Sequence, residues 1–259
     1  MSPAPEAPAW ARAGHLTIGC LVFPRLDQID CTGPFEVLSR VPDATVHVIG
    51  KTAAPVRDVQ GLILTPEVAV ADAPPLDVLV VPGGPGQQAL MDDAAVLGLI
   101  RGQHDAGRLV FSVCTGALLC GAAGILRGRR ATTHWAAWDL LPYYGATPTK
   151  SRVVVDEHVV SCAGVTAGLD GALAVAALLR GDAAAEQIRL DIEYAPEPHS
   201  PGGMPDTARP EVLRACVARY GPIRASREAE ARRFAAMLGV SVPPRPRPPD
   251  TSPPATPPP

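Results

Sequence analysis

The stretch Ser112-Val113-Cys114-Thr115-Gly116 places a cysteine where an apolar, β-branched run ends and a helical pattern of Leu and Ala begins. Small residues two positions before and two positions after Cys114 allow a sharp strand-to-helix turn, as in the GxSxG nucleophile elbow of α/β-hydrolases. Such a turn exposes the side chain at its apex, and the positive end of the following helix favours a thiolate over a thiol. We therefore predict that Cys114 is a nucleophile whose pKa is lowered by the helix beginning at Thr115.

The alternative for Cys114 is a small core residue, because free cysteines are often buried. Packing is the interpretation we adopt for Cys20, Cys120 and Cys162, which lie in apolar stretches. For Cys114 we favour the nucleophile, since packing requires neither the turn pattern nor a position at the end of a strand.

A nucleophilic thiol needs an acid–base partner. The residue after Cys114 is Thr115, so the sequence contains no adjacent Cys-His dyad at this turn. Asp27 and Asp30, in the loop after the first predicted strand, are the nearest carboxylates by topology. We expect Asp30 to be the catalytic acid, with a helix N-cap as its alternative role, and Asp27 to be a solvated loop residue.

Two other motifs have both a structural and a functional interpretation. Gly83-Gly84 in "VVPGGPG" fits a tight turn, or a pair of backbone N–H groups that stabilise developing negative charge. His134 in "ATTHW" fits a satisfied polar residue at a strand end, or a group near the thiol. The histidines, cysteines and carboxylates show no metal-ligand spacing, so we expect neither a metal nor an organic cofactor.

Strand-like and helical patterns alternate between these motifs. Apolar, β-branched runs predict strands at 16–23, 44–50, 76–84, 108–113 and 151–164, and helical patterns fall around 34–40, 94–106, 115–126, 165–181 and 210–236. This alternation predicts one α/β domain with a mostly parallel sheet covered by helices on both faces. Ligands bind such sheets at the carboxyl ends of the strands, where we expect Asp30, Gly83-Gly84 and Cys114.

Composition limits the compartment and the partners. The 259 residues are 47% hydrophobic and 19% charged, enough for a sizeable core, and the net charge of −3 gives no reason to expect nucleic acid or an anionic membrane as a partner. No apolar run approaches the ~20 residues that span a bilayer, and the N-terminus lacks the pattern of a secretory signal. Six scattered cysteines fit free thiols in a reducing compartment, so we expect a cytoplasmic protein.

The two ends differ in composition from the rest of the chain. Residues 243–259 hold 10 of the 30 prolines and no large apolar side chain, so they cannot bury enough surface to compensate for ordering. We predict a flexible extension at 1–14, a folded α/β domain at 15–238 and a disordered Pro-rich tail at 239–259.

Taken together, these stretches resemble the DJ-1/PfpI family. The resemblance rests on "QIDCTGPFEVL", "PPLDVLVVPGG", "SVCTGALLCGAAGIL", "GRRATTHWA" and "GVTAGLD", and it spans residues 16–207. Within the family the chain is similar to the branch that hydrates isonitriles, although "IDCTGP", "SVCTG" and "RATTHW" are shared with the amidase-like domain of certain AraC-type regulators. The resemblance implies a flavodoxin-like (class I glutamine amidotransferase-like) domain and a homodimer that acts on a small molecule.

The resemblance also assigns roles to particular residues. It implies that Cys114 is the nucleophile, that Asp30 is the general acid–base, and that Thr115 positions the substrate or an intermediate. The backbone at Gly84 and Thr115 would form an anion pocket, with the helix start at Val165 close by.

The activity that the resemblance implies is the addition of water to an isonitrile, giving an N-substituted formamide through a thioimidate on Cys114. Protease-like family members carry Cys-His-Gly at the elbow, so the Cys-Thr-Gly of this chain argues against peptide hydrolysis. Two alternatives stay open: another DJ-1-like role, either glyoxalase-type or redox sensing through Cys114, and a ligand-sensing domain related to AraC-type regulators. The last would need a pair of helix-turn-helix motifs, for which we find no room after Gly221.

Overall fold

The computed structural model describes residues 14–200 and 202–242. Most of the two predicted extensions, residues 1–13 and 243–259, lies outside the described residues. Val240 and Val242 pack against the core just after the last helix, so core contacts continue past the predicted boundary at residue 238.

The strands form one main sheet and two small pairs. In chain order, the strands of the described residues are β1 (Leu16–Val22), β2 (Ala44–Gly50), β3 (Val56–Arg57), β4 (Ile63–Leu64), β5 (Val68–Ala69), β6 (Val78–Val81), β7 (Leu109–Val113), β8 (Arg130–Ala131), β9 (Thr147–Pro148), β10 (Val153–Asp156) and β11 (Val159–Cys162). The main sheet has the order β10-β11-β7-β6-β1-β2-β5, and each neighbouring pair in it is parallel except β10–β11. The prediction of a mostly parallel sheet is confirmed.

Helices flank this sheet. The α-helices are α1 (Ile29–Leu38), α2 (Ala94–Asp105), α3 (Gly116–Ala122), α4 (Ala167–Arg180), α5 (Asp182–Asp191) and α6 (Pro210–Leu238), and short 3-10 helices cover Val70–Asp72, Pro85–Leu90 and Trp135–Tyr144. α1 packs against α4 and α2 packs against α3, whereas α6 packs along the last of the 3-10 helices. None of the described helices has the length and apolar character needed to cross a membrane.

The central strands are buried and end at a common edge. Every residue of β6 and β7 is buried, as continuous β-branched runs predict for a parallel sheet. Because β7, β6 and β1 are neighbours in the sheet, the loops that follow their carboxyl ends meet. These loops contain the three segments that the sequence placed at strand ends.

Two helix boundaries differ from the predictions. α1 begins at Ile29 and not near Pro34, because a hydrogen bond from the Asp30 N–H to the preceding loop starts its first turn early. Asp30 therefore lies inside the helix, and its alternative role as an N-cap is wrong. α3 is shorter than predicted, since it ends at Ala122, before Gly124 adopts a left-handed backbone (φ +85°).

Candidate active site

Cys114 lies between the end of β7 and the start of α3, at a backbone φ of +55°. This left-handed conformation is uncommon for a residue with a side chain and persists only where neighbours hold it. The Cys114 N–H donates to the carbonyls of Cys162 and Ala163, at 3.2 and 2.9 Å, and the Cys114 carbonyl accepts a 2.7 Å hydrogen bond from the Thr133 hydroxyl. The sharp turn expected from the sequence is therefore present and is fixed by other segments of the chain.

The small residue after the turn, Gly116, is required by close packing. A Cβ at this position would lie 2.0 Å from the Val81 carbonyl oxygen, so a larger residue would push α3 away from β6. The pattern of small residues around Cys114 thus has the structural reason that the sequence suggested.

The Asp30 carboxyl reaches the thiol from the first turn of α1. It is completely buried, its Oδ2 accepts a 2.9 Å hydrogen bond from the Gly83 N–H, and it forms a side-chain hydrogen bond with Cys114. Its other oxygen, Oδ1, has no hydrogen-bond partner among the described residues. The structure therefore brings Asp30 and Cys114 into contact and leaves one carboxyl oxygen available for a proton or a ligand.

Asp30 is a protonated acid at neutral pH. Burial, and after it the Asp27 carboxylate, raise the pKa of Asp30 to about 8, against opposing effects of the Gly83 N–H and Cys114. A carboxyl with this pKa can donate a proton near pH 7. Asp27 is itself half-buried and burial raises its pKa as well, so it is less solvated than expected.

Cys114 is a neutral thiol at rest, because it is only 6% exposed. Burial, and after it the Asp30 carboxylate, raise the pKa of the thiol well above its usual range, although the N–H groups of Thr115 and Val165 and the charge of Arg227 act in the opposite direction. The prediction that the helix start lowers the pKa of Cys114 is wrong, since desolvation outweighs the helix. A reaction at this sulfur must therefore remove the thiol proton, and Asp30 is beside it.

The Gly83-Gly84 turn after β6 holds Asp30 and Thr115 in place. The Gly83 N–H donates to Asp30, and the Gly84 N–H donates to the Thr115 hydroxyl at 3.1 Å. Gly84 has a φ of +109°, and a Cβ on it would lie 2.4 Å from a backbone nitrogen of the loop after β1, so the turn requires glycine there. The backbone N–H groups expected at an anion pocket divide into two sets. The N–H groups facing the sulfur are those of Thr115 and Val165, whereas both glycine N–H groups bind side chains.

His134 lies at the edge of the site as a neutral ring. Its Nδ1 accepts a 3.2 Å hydrogen bond from the Ala136 N–H, and its ring centroid lies 5.3 Å from that of Tyr220. Burial, and after it the charge of Arg227, lower the pKa of His134 to about 4. This arrangement fits an uncharged imidazole that forms part of the wall of the site at neutral pH.

Two residues of α6, Tyr220 and Arg227, reach the site although no sequence motif marks them. Arg227 is 5% exposed and donates to the Thr115 hydroxyl and the Gly84 carbonyl. Tyr220 is close enough to Cys114 for the charge of the thiolate to raise its pKa, after the larger effect of burial. The available signal was their spacing, since residues about two helical turns apart lie on one face of a helix.

A cavity of about 560 Å³ lies beside the elbow. Its lining includes Thr133, Ala163 and Val165, which all hydrogen-bond to Cys114. The apolar and aromatic part of its lining also includes Trp135, Trp138, Met204, Pro205, Leu213 and Val217. Cys114 and Asp30 are not among its lining residues, and Lys150, Arg152 and Asp206 also line it, so the cavity adjoins the elbow and offers an apolar and aromatic wall next to charged groups.

The other cysteines show no site of their own. All six cysteines are free thiols, and Cys20, Cys120 and Cys162 are completely buried, as expected for packing residues. In the part of the chain that the structure describes, no group of three or more His, Cys, Asp or Glu side chains could hold a metal ion.

Known proteins share this fold and sequence pattern. A model described as the DJ-1/PfpI family matches residues 17–178. The chain is 46% identical over 225 residues to isonitrile hydratase of Pseudomonas putida, covering 87% of this chain and 99% of that protein. It is 28% identical over 134 residues to the glutathione-independent glyoxalase DJR-1.2 of Caenorhabditis elegans, covering 51% of this chain and 72% of that protein. A crystal structure of a ThiJ/PfpI family protein from Pseudomonas syringae is similar with a TM-score of 0.81 at 34% identity, covering 91% of this chain and 96% of that one.

Proposed function

Because this chain belongs to the DJ-1/PfpI family, we propose that its thiol and acid work as an isonitrile hydratase, adding water to an isonitrile to give an N-substituted formamide. The observation that carries this proposal is the contact between the Cys114 thiol and an Asp30 carboxyl that is protonated at neutral pH. The terminal carbon of an isonitrile accepts both a nucleophile and a proton, which this pair can supply. The similarity to the Pseudomonas putida enzyme over nearly its whole length supports the same substrate class.

In the first step, the Cys114 sulfur forms a bond to the terminal isonitrile carbon while Asp30 delivers a proton to that carbon. In the same step the thiol proton passes to Asp30, so the sulfur attacks with anionic character, and R–N≡C and the thiol combine to the thioimidate R–N=CH–S–Cys114 with no atom lost. One carboxyl can pass the proton from sulfur to carbon because it hydrogen-bonds to Cys114 and its Oδ1 is unoccupied by any described residue.

In the second step, water adds across the C=N bond of the thioimidate: the protonated Asp30 delivers its proton to the nitrogen and takes a proton from the attacking water. The nitrogen gains a hydrogen and the carbon gains a hydroxyl. The C–S bond then breaks, the hydroxyl proton passes to sulfur, and R–NH–CHO leaves with the thiol restored. The N–H groups of Thr115 and Val165 face the sulfur and stabilise its negative charge as the bond breaks.

The surroundings of Cys114 favour a slender reacting group. A thiol that is 6% exposed is reached more easily by the linear end of an isonitrile than by a peptide carbonyl with substituents on both sides. The N-substituent of the isonitrile would lie in the cavity beside the elbow, whose apolar and aromatic lining fits an alkyl or aryl group.

The remaining predicted residues have positioning roles in this proposal. Gly83 orients Asp30, and Gly84 fixes the Thr115 hydroxyl. His134, neutral and packed at a tilt against Tyr220, contributes to the cavity wall.

The alternatives have weaker support. Oxidation by peroxide proceeds through the thiolate, and the raised pKa of Cys114 makes that form scarce at neutral pH, which argues against redox sensing. The similarity to the glyoxalase relative is lower and covers about half of the chain.

We also propose that the protein is a cytoplasmic homodimer that acts on a small molecule and binds neither nucleic acid nor membrane. Membership of the DJ-1/PfpI family supports the dimer, and six free thiols support a reducing compartment. Light scattering after size-exclusion chromatography should give the mass of two chains, and the mass of one chain would contradict the dimer.

The direct test of the activity incubates the purified protein with cyclohexyl isonitrile or para-nitrophenyl isonitrile and follows the formamide by mass spectrometry. Cys114→Ala should show no turnover above the uncatalysed rate. Cys120→Ala is the matched control, because it removes a buried thiol of the same size from α3 and should retain activity. No turnover by the wild-type protein, or undiminished turnover in Cys114→Ala, would refute the proposal.

A further inference from the structure

α6 carries one arginine whose surroundings differ from those of its neighbours. Arg224, Arg232 and Arg233 all pair with carboxylates, and their side chains are 29%, 61% and 43% exposed. Arg227 is 5% exposed and forms no ion pair with a carboxylate among the residues of 14–200 and 202–242. It is thus a buried cation in a helix whose other arginines near it are neutralised at the surface.

The hydrogen-bond acceptors of Arg227 are uncharged, and two of the three, at Gly84 and Thr115, belong to the active site. Its Nε donates to Gln87 Oε1 at 3.1 Å, and its Nη2 donates to the Gly84 carbonyl at 3.0 Å and to the Thr115 hydroxyl at 3.3 Å. Burying a guanidinium without a counter-ion is unfavourable. A negative charge that forms during the reaction would remove this disadvantage.

The titratable groups that face Arg227 identify where that charge forms. They are Cys114, Glu230, Tyr144, Tyr220 and His134. Burial raises the pKa of both tyrosines and leaves His134 neutral, and it raises the pKa of Glu230 to about 7. Glu230 is one helical turn away on α6 and is not bonded to the elbow, whereas the Cys114 sulfur becomes anionic in each bond-making and bond-breaking step.

We propose that Arg227 is a positioning residue for hydration, which fixes the Thr115 hydroxyl and the Gly84 carbonyl and serves as the counter-ion of the sulfur anion at Cys114. The proposal takes the reaction from the proposed function, but the counter-ion role concerns the thiol itself and can be measured without an isonitrile. In the resting thiol the charge on α6 adds to the N–H groups of Thr115 and Val165, and the three together still do not offset the desolvation of the sulfur.

The test measures the rate at which iodoacetamide alkylates Cys114 in the folded protein, with the labelled peptide identified by mass spectrometry. Arg227→Met and Arg227→Gln remove the charge, and Arg227→Lys keeps it. Arg233→Met is the matched control, since it removes an exposed arginine of the same helix that pairs with Asp92. At a fixed pH below the thiol pKa, the rate follows the thiolate fraction, so a pKa higher by one unit gives an about tenfold slower reaction.

We expect Arg227→Met and Arg227→Gln to slow alkylation at least about tenfold, and Arg233→Met to match the wild type. Arg227→Lys should alkylate within about threefold of the wild type but lose kcat, because one ammonium cannot reproduce the guanidinium fork. Gln keeps an amide donor and provides a neutral variant if Met does not fold. An unchanged alkylation rate in a folded Arg227→Met or Arg227→Gln variant would overturn the proposal, and so would an equally slow rate in Arg233→Met. If neither neutral variant folds, slow alkylation in Arg227→Lys would overturn it.

The same measurements separate this inference from the proposed function. A large effect of Arg227→Gln on alkylation with no isonitrile turnover by the wild type would refute the hydratase assignment alone. Turnover of isonitriles with no effect of Arg227→Gln on alkylation would refute the counter-ion role alone.

Discussion

Replacing Asp30 by asparagine should make the protein more stable and nearly inactive at the same time. Asparagine keeps the size of the side chain and an acceptor for the Gly83 N–H, but it cannot transfer a proton. Burial holds the pKa of Asp30 at about 8 in the folded protein, against 3.8 for an ordinary aspartate. The folded chain therefore keeps a proton that the unfolded chain loses, and the stability of the wild type falls as the pH rises between these two values.

The two pKa values set the size of this effect. Each pH unit between them lowers the free energy of unfolding of the wild type by about 1.4 kcal/mol, which amounts to about 4 kcal/mol at pH 7 and less than ~1 kcal/mol at pH 4. Asparagine removes this loss. If Asp30 were a helix N-cap instead, its replacement would lower the stability, by about 0.5–2 kcal/mol for removal of a cap, with little dependence on pH.

Urea unfolding followed by circular dichroism at pH 5, 6, 7 and 8 measures the difference in free energy of unfolding between Asp30→Asn and the wild type. We expect the advantage of the variant to grow by about 1.4 kcal/mol per pH unit, and its hydration activity to fall by about 10²- to 10⁴-fold. Asp93→Asn is the contrasting control, because Lys51 and two N–H groups of α2 lower the pKa of Asp93, so its replacement should lower stability above pH 4. A less stable Asp30→Asn, or a difference that does not change with pH, would refute the buried, protonated state of Asp30.

Three further predictions concern the same site. The kcat/KM for isonitrile hydration should fall about tenfold per pH unit above pH ~8, as Asp30 loses the proton that it donates, and a pH–rate profile that stays flat to pH ~10 would contradict this role. Val217→Trp, which narrows the cavity, should lower kcat/KM for cyclohexyl isonitrile at least about tenfold and for methyl isonitrile less than about threefold, whereas equal losses would place the N-substituent elsewhere. Gly84→Ala should lower the free energy of unfolding by at least about 3 kcal/mol, because Gly84 has a φ of +109° and a Cβ there would lie 2.4 Å from a backbone nitrogen. Gly107→Ala is the control and should cost only about 1 kcal/mol, because Gly107 has a φ of +67° and no atom lies within 4 Å of its Cβ position. Similar melting temperatures for the two variants would show that the close contact at Gly84 is relieved by movement.

The elbow and its acid could be predicted because they depend on local patterns and on one property of parallel sheets. Cys114 stands at a change from strand to helix, and Asp30 follows the first strand, both visible in the sequence. Cys114 and Asp30 come together only because β1, β6 and β7 are neighbours in the sheet, and the alternation of strands and helices does not determine that order. The resemblance to a known family, which assigns Cys114 and Asp30 to one site, supplied that pairing.

The protonation of the site and the contribution of α6 could not be predicted, for physical reasons. The pKa of Cys114 is set mainly by desolvation, which depends on three-dimensional packing, whereas the sequence shows only the helix start. Arg227 is 112 residues from Thr115 along the chain and lies in an arginine-rich helix, where charged residues are usually exposed. Its contact with the elbow depends on how α6 packs across Trp135–Tyr144, which no local pattern specifies.

The left-handed backbone at Cys114 bears on how this chain responds to evolution and to engineering. Glycine would adopt a φ of +55° with less strain, by about 1 kcal/mol, and the hydrogen bonds of residue 114 would remain because they use main-chain atoms. Both the sulfur and the acid beside it are thus present at the expense of thermal robustness. A directed-evolution campaign that selects for heat resistance without an activity screen should discard these two side chains among its first gains.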